Sequence, residues 1–207
     1  MVQATLRVTT AALFLWSAAI APAVAADHGD TQYTVDSESS VVNFTLSARR
    51  LLFTVRREGQ FSELTGGISY DPTNPAATHV DLTVYTDSVS LENTEQEDLL
   101  RSDEFFDVAK HPTMHFVSTA VAPGGDGRLS VTGDLTIRGI TRQLTLPIRV
   151  ISPAGEAGMT TFDTTFQIDR TQFGLTGGGP RSREFKVSIG KNVAIHMAIA
   201  AHKLPAQ

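Results

Sequence analysis

The stretch Leu129-Ser130-Val131-Thr132-Gly133-Asp134-Leu135-Thr136-Ile137-Arg138 alternates apolar and polar positions without a break. A period of two sends successive side chains to opposite faces of a strand, so this segment has one dry face and one wet face. The same alternation runs through Val42, Phe44 and Leu46, through Val80, Leu82 and Val84, and through Leu144, Leu146, Ile148 and Val150. It returns in Phe162, Thr164, Phe166 and Ile168, and in Val193, Ile195, Met197 and Ile199. Strands near Phe61 to Tyr70 and Thr113 to Val121 bring the count to roughly eight.

Turn residues separate these runs. Asp71-Pro72-Thr73-Asn74-Pro75, Pro123-Gly124-Gly125-Asp126-Gly127, Pro153-Ala154-Gly155 and Gly177-Gly178-Gly179-Pro180 each interrupt an alternating segment. The last of them lacks the Lys and the following helix of a phosphate loop and is expected to be a flexible loop. Arg138-Gly139-Ile140 joins two runs so tightly that a hairpin is expected, with Gly139 at positive φ. One segment departs from period two: Glu92 to Arg101 is acidic, carries Leu99 and Leu100, and opens on Asn93 or Thr94 as a cap, with Gln96 or Glu97 three residues on. A short helix is expected there, followed by Phe105-Phe106. That unit either closes one mouth of a barrel or merely crosses the surface. Residues His202 to Gln207 read as a frayed end.

At 207 residues the chain suits one all-β domain. Residues 1–26 read as a secretory signal peptide: Arg7 is the basic start, Ala11 to Ile20 the apolar core, and Ala23-Val24-Ala25 or Val24-Ala25-Ala26 the cleavage pattern. The apolar core is about half of the ~20 residues a spanning helix requires, which argues against a membrane anchor. Cleavage near Ala25 or Ala26 leaves 27–207 as the exported domain. Without Arg7 it has 16 basic residues against 22 acidic ones, a balance that makes nucleic acid a poor partner. The absence of cysteine excludes disulfides, thiol nucleophiles and thiolate metal sites.

An eight-stranded antiparallel sheet with one apolar face buries that face by closing into a single barrel, which also removes exposed edges. A barrel of this size is either filled by its own side chains or just wide enough for one ligand. The inward set is Val42, Phe44, Leu46, Phe61, Leu82, Val84, Phe116, Leu135, Ile137, Leu144, Leu146, Phe162, Phe166 and Ile195. If the interior is hollow, it suits a long aliphatic or polyprenyl chain, because each buried methylene contributes about 0.8 kcal/mol and no polar partner is needed along it. At about −0.3 kcal/mol per heavy atom, a forty-carbon chain reaches roughly −12 kcal/mol at most.

The run Leu100-Arg101-Ser102-Asp103-Glu104-Phe105-Phe106-Asp107-Val108-Ala109-Lys110-His111-Pro112-Thr113-Met114-His115-Phe116 resembles the signature of the YceI-like, polyisoprenoid-binding family. Tyr33-Thr34-Val35-Asp36, Ser40-Val41-Val42-Asn43-Phe44, Gly59-Gln60-Phe61, the hairpin Val131 to Thr141, and Asp169-Arg170 with Phe173-Gly174 resemble its other segments in order. The resemblance covers nearly all of residues 32–200. It implies a lipocalin-like exported barrel, often a homodimer, that holds an isoprenoid chain such as a quinone tail in the periplasm, with Phe105 and Phe106 close to the cavity. Three positions depart from the pattern: Ser39 and Ala48 stand where many members carry His, and Glu97-Asp98-Leu99-Leu100 replaces an Asp-x-His-Leu run. If those groups meet a head group, the head differs here.

Other chemistries find little support. His111 and His115 lie four residues apart across Pro112, about 13 Å in a strand, too far to share an ion without a sharp bend. No metal ligand set and no cofactor is expected. No Ser sits in a nucleophile elbow, so no catalytic residue is assigned. An enzyme reading would have to use Asp169, Arg170 or His115; a third reading is a stress-related structural barrel filled solid. Arg49, Arg50, Arg56 and Arg57 flank Leu51-Leu52-Phe53, which is either a solvated strand end or a mouth that touches anionic lipid. The expected function is non-catalytic carriage of a long apolar molecule, with transient membrane-surface contact.

Overall fold

A computed structural model describes residues 31–50, 53–151, 159–177, 179–184 and 188–205. The leader, the Leu51-Leu52 pair, the Pro153-Ala154-Gly155 turn and Gly178 lie outside these residues. Eleven strands follow one another: β1 (Thr31–Val35), β2 (Val41–Arg50), β3 (Phe53–Phe61), β4 (Leu64–Tyr70), β5 (His79–Tyr85), β6 (Val89–Leu91), β7 (Thr113–Pro123), β8 (Arg128–Ile137), β9 (Ile140–Ile151), β10 (Met159–Asp169) and β11 (Ser188–Lys203). Helices α1 (Thr94–Arg101) and α2 (Pro180–Glu184) interrupt them.

All neighbouring pairs are antiparallel, and β1 bonds to both β4 and β11, so the sheet closes on itself. Three staves of the barrel are each broken into two strands. β1 and β2 share β11 as partner, β3 and β4 follow as the next stave, and β5 and β6 make the third. With β7 to β11 the result is a closed 8-strand antiparallel barrel in meander order. The first break has a local cause: Asp36 Oδ1 accepts the backbone amides of Glu38 and Ser39 at 3.0 and 3.2 Å, an Asx turn that redirects the chain.

Helix α1 covers β6 on the side away from β3, where no described strand pairs with it. Asn93 caps it by accepting the amide of Gln96, as the sequence implies. Its Glu97 accepts the amide of Leu91 at 2.9 Å, and Arg101 donates to the carbonyls of Val89 at 2.6 Å and Asp87 at 3.0 Å. Side chains thereby occupy the backbone groups that β6 leaves facing away from β3. The Arg138-Gly139 hairpin also forms, with φ of 51° and 72°, the two positive values a type I′ turn demands.

Three expectations need correction. The strand expected near Phe61 to Tyr70 forms as β4, but a strand the alternation did not announce, β3, precedes it, because Phe53 to Glu58 are exposed throughout and display no dry and wet faces. Residues His202 and Lys203 are not frayed: they pair with Thr34 and Tyr33, and His202 Nε2 lies 3.0 Å from Asp36 Oδ2. The glycine run, expected to lack a following helix, is followed by one: α2 starts at Pro180, and the Glu104 carboxylate accepts from the amides of Arg181 and Ser182. Pro at a helix start costs no hydrogen bond, and a carboxylate there satisfies free N–H groups.

Candidate functional site: an apolar cavity inside the barrel

The inner faces of the staves do not fill the barrel. They surround a cavity that holds about 1340 Å³ of empty space, counted with the part open to solvent. Of its thirty described lining residues only His115, Thr164 and Arg170 have polar side chains.

All sixteen residues singled out in the sequence lie on this wall. Strand β2 supplies Val42, Phe44 and Leu46, β3 supplies Phe61, and β5 supplies Leu82 and Val84. Phe116 comes from β7, Leu135 and Ile137 from β8, Leu144 and Leu146 from β9, Phe162 and Phe166 from β10, and Ile195 from β11. Phe105 and Phe106 follow α1 and are 3% and 9% exposed.

The sequence reading missed Ile68, Leu100, Met114, His115, Arg170, Leu175 and Ile189 as wall residues, and left Thr164 and six other members of its alternating runs out of the inward set. Leu175 and Ile189 stand outside any alternating run, and an Arg gives no sign of facing inward.

Aromatic rings mark the two ends. The Phe162 ring meets Tyr33 and Tyr70 edge-on, with centroids 5.8 and 5.9 Å apart. Burial pushes the Tyr70 hydroxyl up, with the neighbouring Tyr33 and Asp71 adding to the effect. Eight residues farther along the line of β10, about 26 Å at strand spacing, stands Arg170. Its guanidinium lies 6.0 Å from the centroid of Phe105, while Phe106 packs edge-on against Phe61 at 5.6 Å.

Arg170 is only 7% exposed and makes no ion pair with a described carboxylate. Instead Nε donates to the carbonyl of Gly190 at 2.8 Å, Nη2 to Ile189 at 2.7 Å, and Nη1 to Leu175. Burial lowers its pKa, opposed by the charge of Asp169. The side chain thus ties the turn after β10 to the start of β11 and contributes a buried cation at that end of the wall.

The residues an enzyme reading would use are not hydrogen-bonded to one another. His115 Nε2 sits 2.8 Å from Asp81 Oδ1 with 44% of its side chain exposed, consistent with an outward ring between inward Met114 and Phe116. Asp169 accepts the hydroxyl and amide of Thr171, which with Lys191 holds its carboxyl below the usual range. His111 lies against Gly139, and its carbonyl accepts from Thr86 Oγ1 at 2.8 Å. Among the described residues no three His, Asp or Glu side chains are grouped to hold a metal ion.

The positions that depart from the family pattern are occupied too. Ser39 bonds to Asp36, and Ala48, 4% exposed, pairs with Val55 and Ile189. On β3, paired with β2, Phe53 is 74% exposed and Val55 37%, with Arg49, Arg56 and Arg57 exposed beside them.

Comparison with known proteins agrees with this architecture. Protein YceI of Escherichia coli O6:H1 is 35% identical over 176 residues, 81% of this chain and 86% of that protein. A UPF0312 protein of Ectopseudomonas mendocina is 36% identical over 149 residues, covering 70% and 74% of the two chains. Among solved structures, Burkholderia cenocepacia BcnA superposes with a TM-score of 0.68 at 27% identity, covering 80% of this chain and 98% of that one. A polyisoprenoid binding domain from Saccharophagus degradans shares the fold, with a TM-score of 0.67 at 18% identity over 83% and 98%. The YceI-like domain model matches residues 33–201, from β1 through β11, and the chain therefore belongs to the YceI-like family.

Proposed function

We propose that this protein is an exported, non-catalytic carrier that holds a long isoprenoid chain, such as a quinone tail or polyprenyl group, inside its barrel. The observation that supports this most directly is the cavity wall, apolar at all but three of its thirty described positions. Such a wall binds by area rather than by specific polar contacts, and a slender hydrocarbon is what matches it. The description of the Saccharophagus degradans neighbour as polyisoprenoid-binding points the same way. The leader-like residues 1–26 support export to the periplasm, where N-terminal sequencing should find the chain starting at Ala26 or Asp27.

Transient contact with an anionic membrane surface is part of the same proposal. Phe53 and Val55 offer apolar side chains to an interface, and the arginines beside them offer charge to its head groups. Mass spectrometry of an organic extract from the purified protein tests the carrier role. A long-chain lipid at about one per barrel is expected; a clean extract, together with no uptake of added polyprenyl lipid, overturns it.

A further inference from the structure

The barrel wall carries a seam. Strands β8 and β9 pair from Arg128 with Arg149 to Ile137 with Ile140, and β10 and β11 pair from Met159 with His202 to Asp169 with Asn192. Between these two panels, β9 and β10 pair only from Thr161 with Ile151 to Thr164 with Ile148. Continued register would set Thr165 against Pro147, which has no N–H to donate; proline is tolerated in a sheet where a ladder bond is already missing. From Thr165 to Asp169, about 17 Å at strand spacing, β10 therefore pairs with β11 alone. Where the ladder stops, the outer face holds a recess with about 400 Å³ of empty space, counted with the part open to solvent, lined by Arg128, Pro147, Arg149, Asp163, Thr164 and Thr165. Thr164 lines the cavity as well, so recess and cavity come within one residue of each other.

Side chains hold the far end of this seam. Arg138 Nη1 donates to the carbonyl of Gly174 at 3.1 Å and Nη2 to that of Asp103 at 2.6 Å, joining the tip of the β8–β9 hairpin to the turn after β10 and to the segment after α1. The ends of the cavity are held from more sides. Phe162, 4% exposed, meets Tyr33 and Tyr70 edge-on, and Arg170, 7% exposed, bonds three carbonyls. Widening the seam beyond Thr164 breaks no ladder pair, whereas clearing either end displaces a buried ring or a bonded guanidinium. We propose that the ligand enters and leaves sideways, between β9 and β10, with Arg138 as the latch. A slot along the strands admits a long chain broadside, while an end mouth requires it to thread end first. This inference rests on the carrier reading and adds the route of exchange and the residue that closes it.

The chain has no cysteine, so a pair of thiols placed across the seam reacts alone. Thr145 and Gln167, both exposed, would face each other if the register continued. In the Thr145→Cys/Gln167→Cys protein a short bismaleimide ties the seam shut. Stopped-flow fluorescence then follows uptake and release of all-trans-retinol, an isoprenoid alcohol whose emission reports its burial, by the delipidated protein. Bridging is expected to slow both rates about tenfold or more and to leave the equilibrium affinity unchanged. The same reagent on Gln167→Cys/Ala194→Cys, which spans the paired β10–β11 ladder, leaves both rates as they were. Arg138→Asn removes the latch while Asn-Gly keeps the hairpin turn, and it speeds both rates several-fold at constant affinity. Equal rates in bridged and unbridged seam proteins overturn the proposal, as does equal slowing by the control bridge, and unchanged rates in Arg138→Asn remove Arg138 as the latch. Failure of the wild type to take up retinol removes the carrier reading itself, and this inference with it.

Discussion

Glu104 accepts hydrogen bonds from the backbone amides of Arg181 and Ser182, at 2.8 and 2.9 Å, across more than seventy residues of chain. Its carboxylate satisfies the first turn of α2 and fixes that helix beside Phe105 at one end of the cavity.

The contact should be sensitive to acid. Bonds from the Ser182 hydroxyl, then from the Ser182 and Arg181 amides, outweigh desolvation and hold Glu104 below the usual Glu range. A carboxylate with a depressed folded-state pKa contributes stability that is fully present above its unfolded value and disappears as pH falls through the folded one. Protection of the Arg181 and Ser182 amides in hydrogen exchange should therefore hold at neutral pH and fall below about pH 4, near the ordinary Glu value. Glu104→Gln should show the lowered protection already at pH 7. Equal protection in both proteins at pH 7 would mean that other contacts hold α2.

Arg170→Leu should be strongly destabilising. It leaves the carbonyls of Leu175, Ile189 and Gly190 without their donor in a buried setting. At about 1 kcal/mol or more for each stranded acceptor, the loss is ~3 kcal/mol or greater. Urea unfolding measures it, and a change below ~1 kcal/mol would mean that water replaces the guanidinium.

Gly59 makes room for an aromatic wall residue. It is the register partner of Phe44, and a Cβ there would lie 2.4 Å from the ring and 2.9 Å from the carbonyl oxygen of Ser90. Gly59→Ala should cost about 1–3 kcal/mol as an overpacked site and should displace Phe44 from the cavity wall. Thermal unfolding and a crystal structure of the variant check both parts.

Phe53→Ser tests the hairpin lip. With Phe53 74% exposed, stability should change by no more than about 0.5 kcal/mol. Co-sedimentation with phosphatidylglycerol vesicles should fall several-fold, and wild-type binding should weaken as salt screens the arginines. Equal sedimentation of variant and wild type would place membrane contact elsewhere or nowhere.

Much of the wall was legible before any coordinates. Leu135 and Ile137, or Phe162 and Phe166, announce a shared face because alternation is set by backbone geometry alone. The same logic hid Phe53 to Glu58, where every side chain is exposed and the strand leaves no pattern. It also hid Leu175 and Ile189, which reach the cavity from segments without period. Arg170 was the hardest to find, since nothing local distinguishes a buried guanidinium from a solvated one; its three carbonyl partners come from Leu175 and from the start of β11.

By itself the sequence determined the strands, their dry faces and the Arg138-Gly139 hairpin, because each depends on residues a few positions apart. Only the tertiary structure decided that β1 bridges β4 and β11 to close the ring, that Glu104 holds α2, and that the enclosed space is left open. A void is the difference between the volume a closed barrel encloses and the volume its side chains occupy. That difference belongs to the assembled whole, and no local pattern of residues contains it.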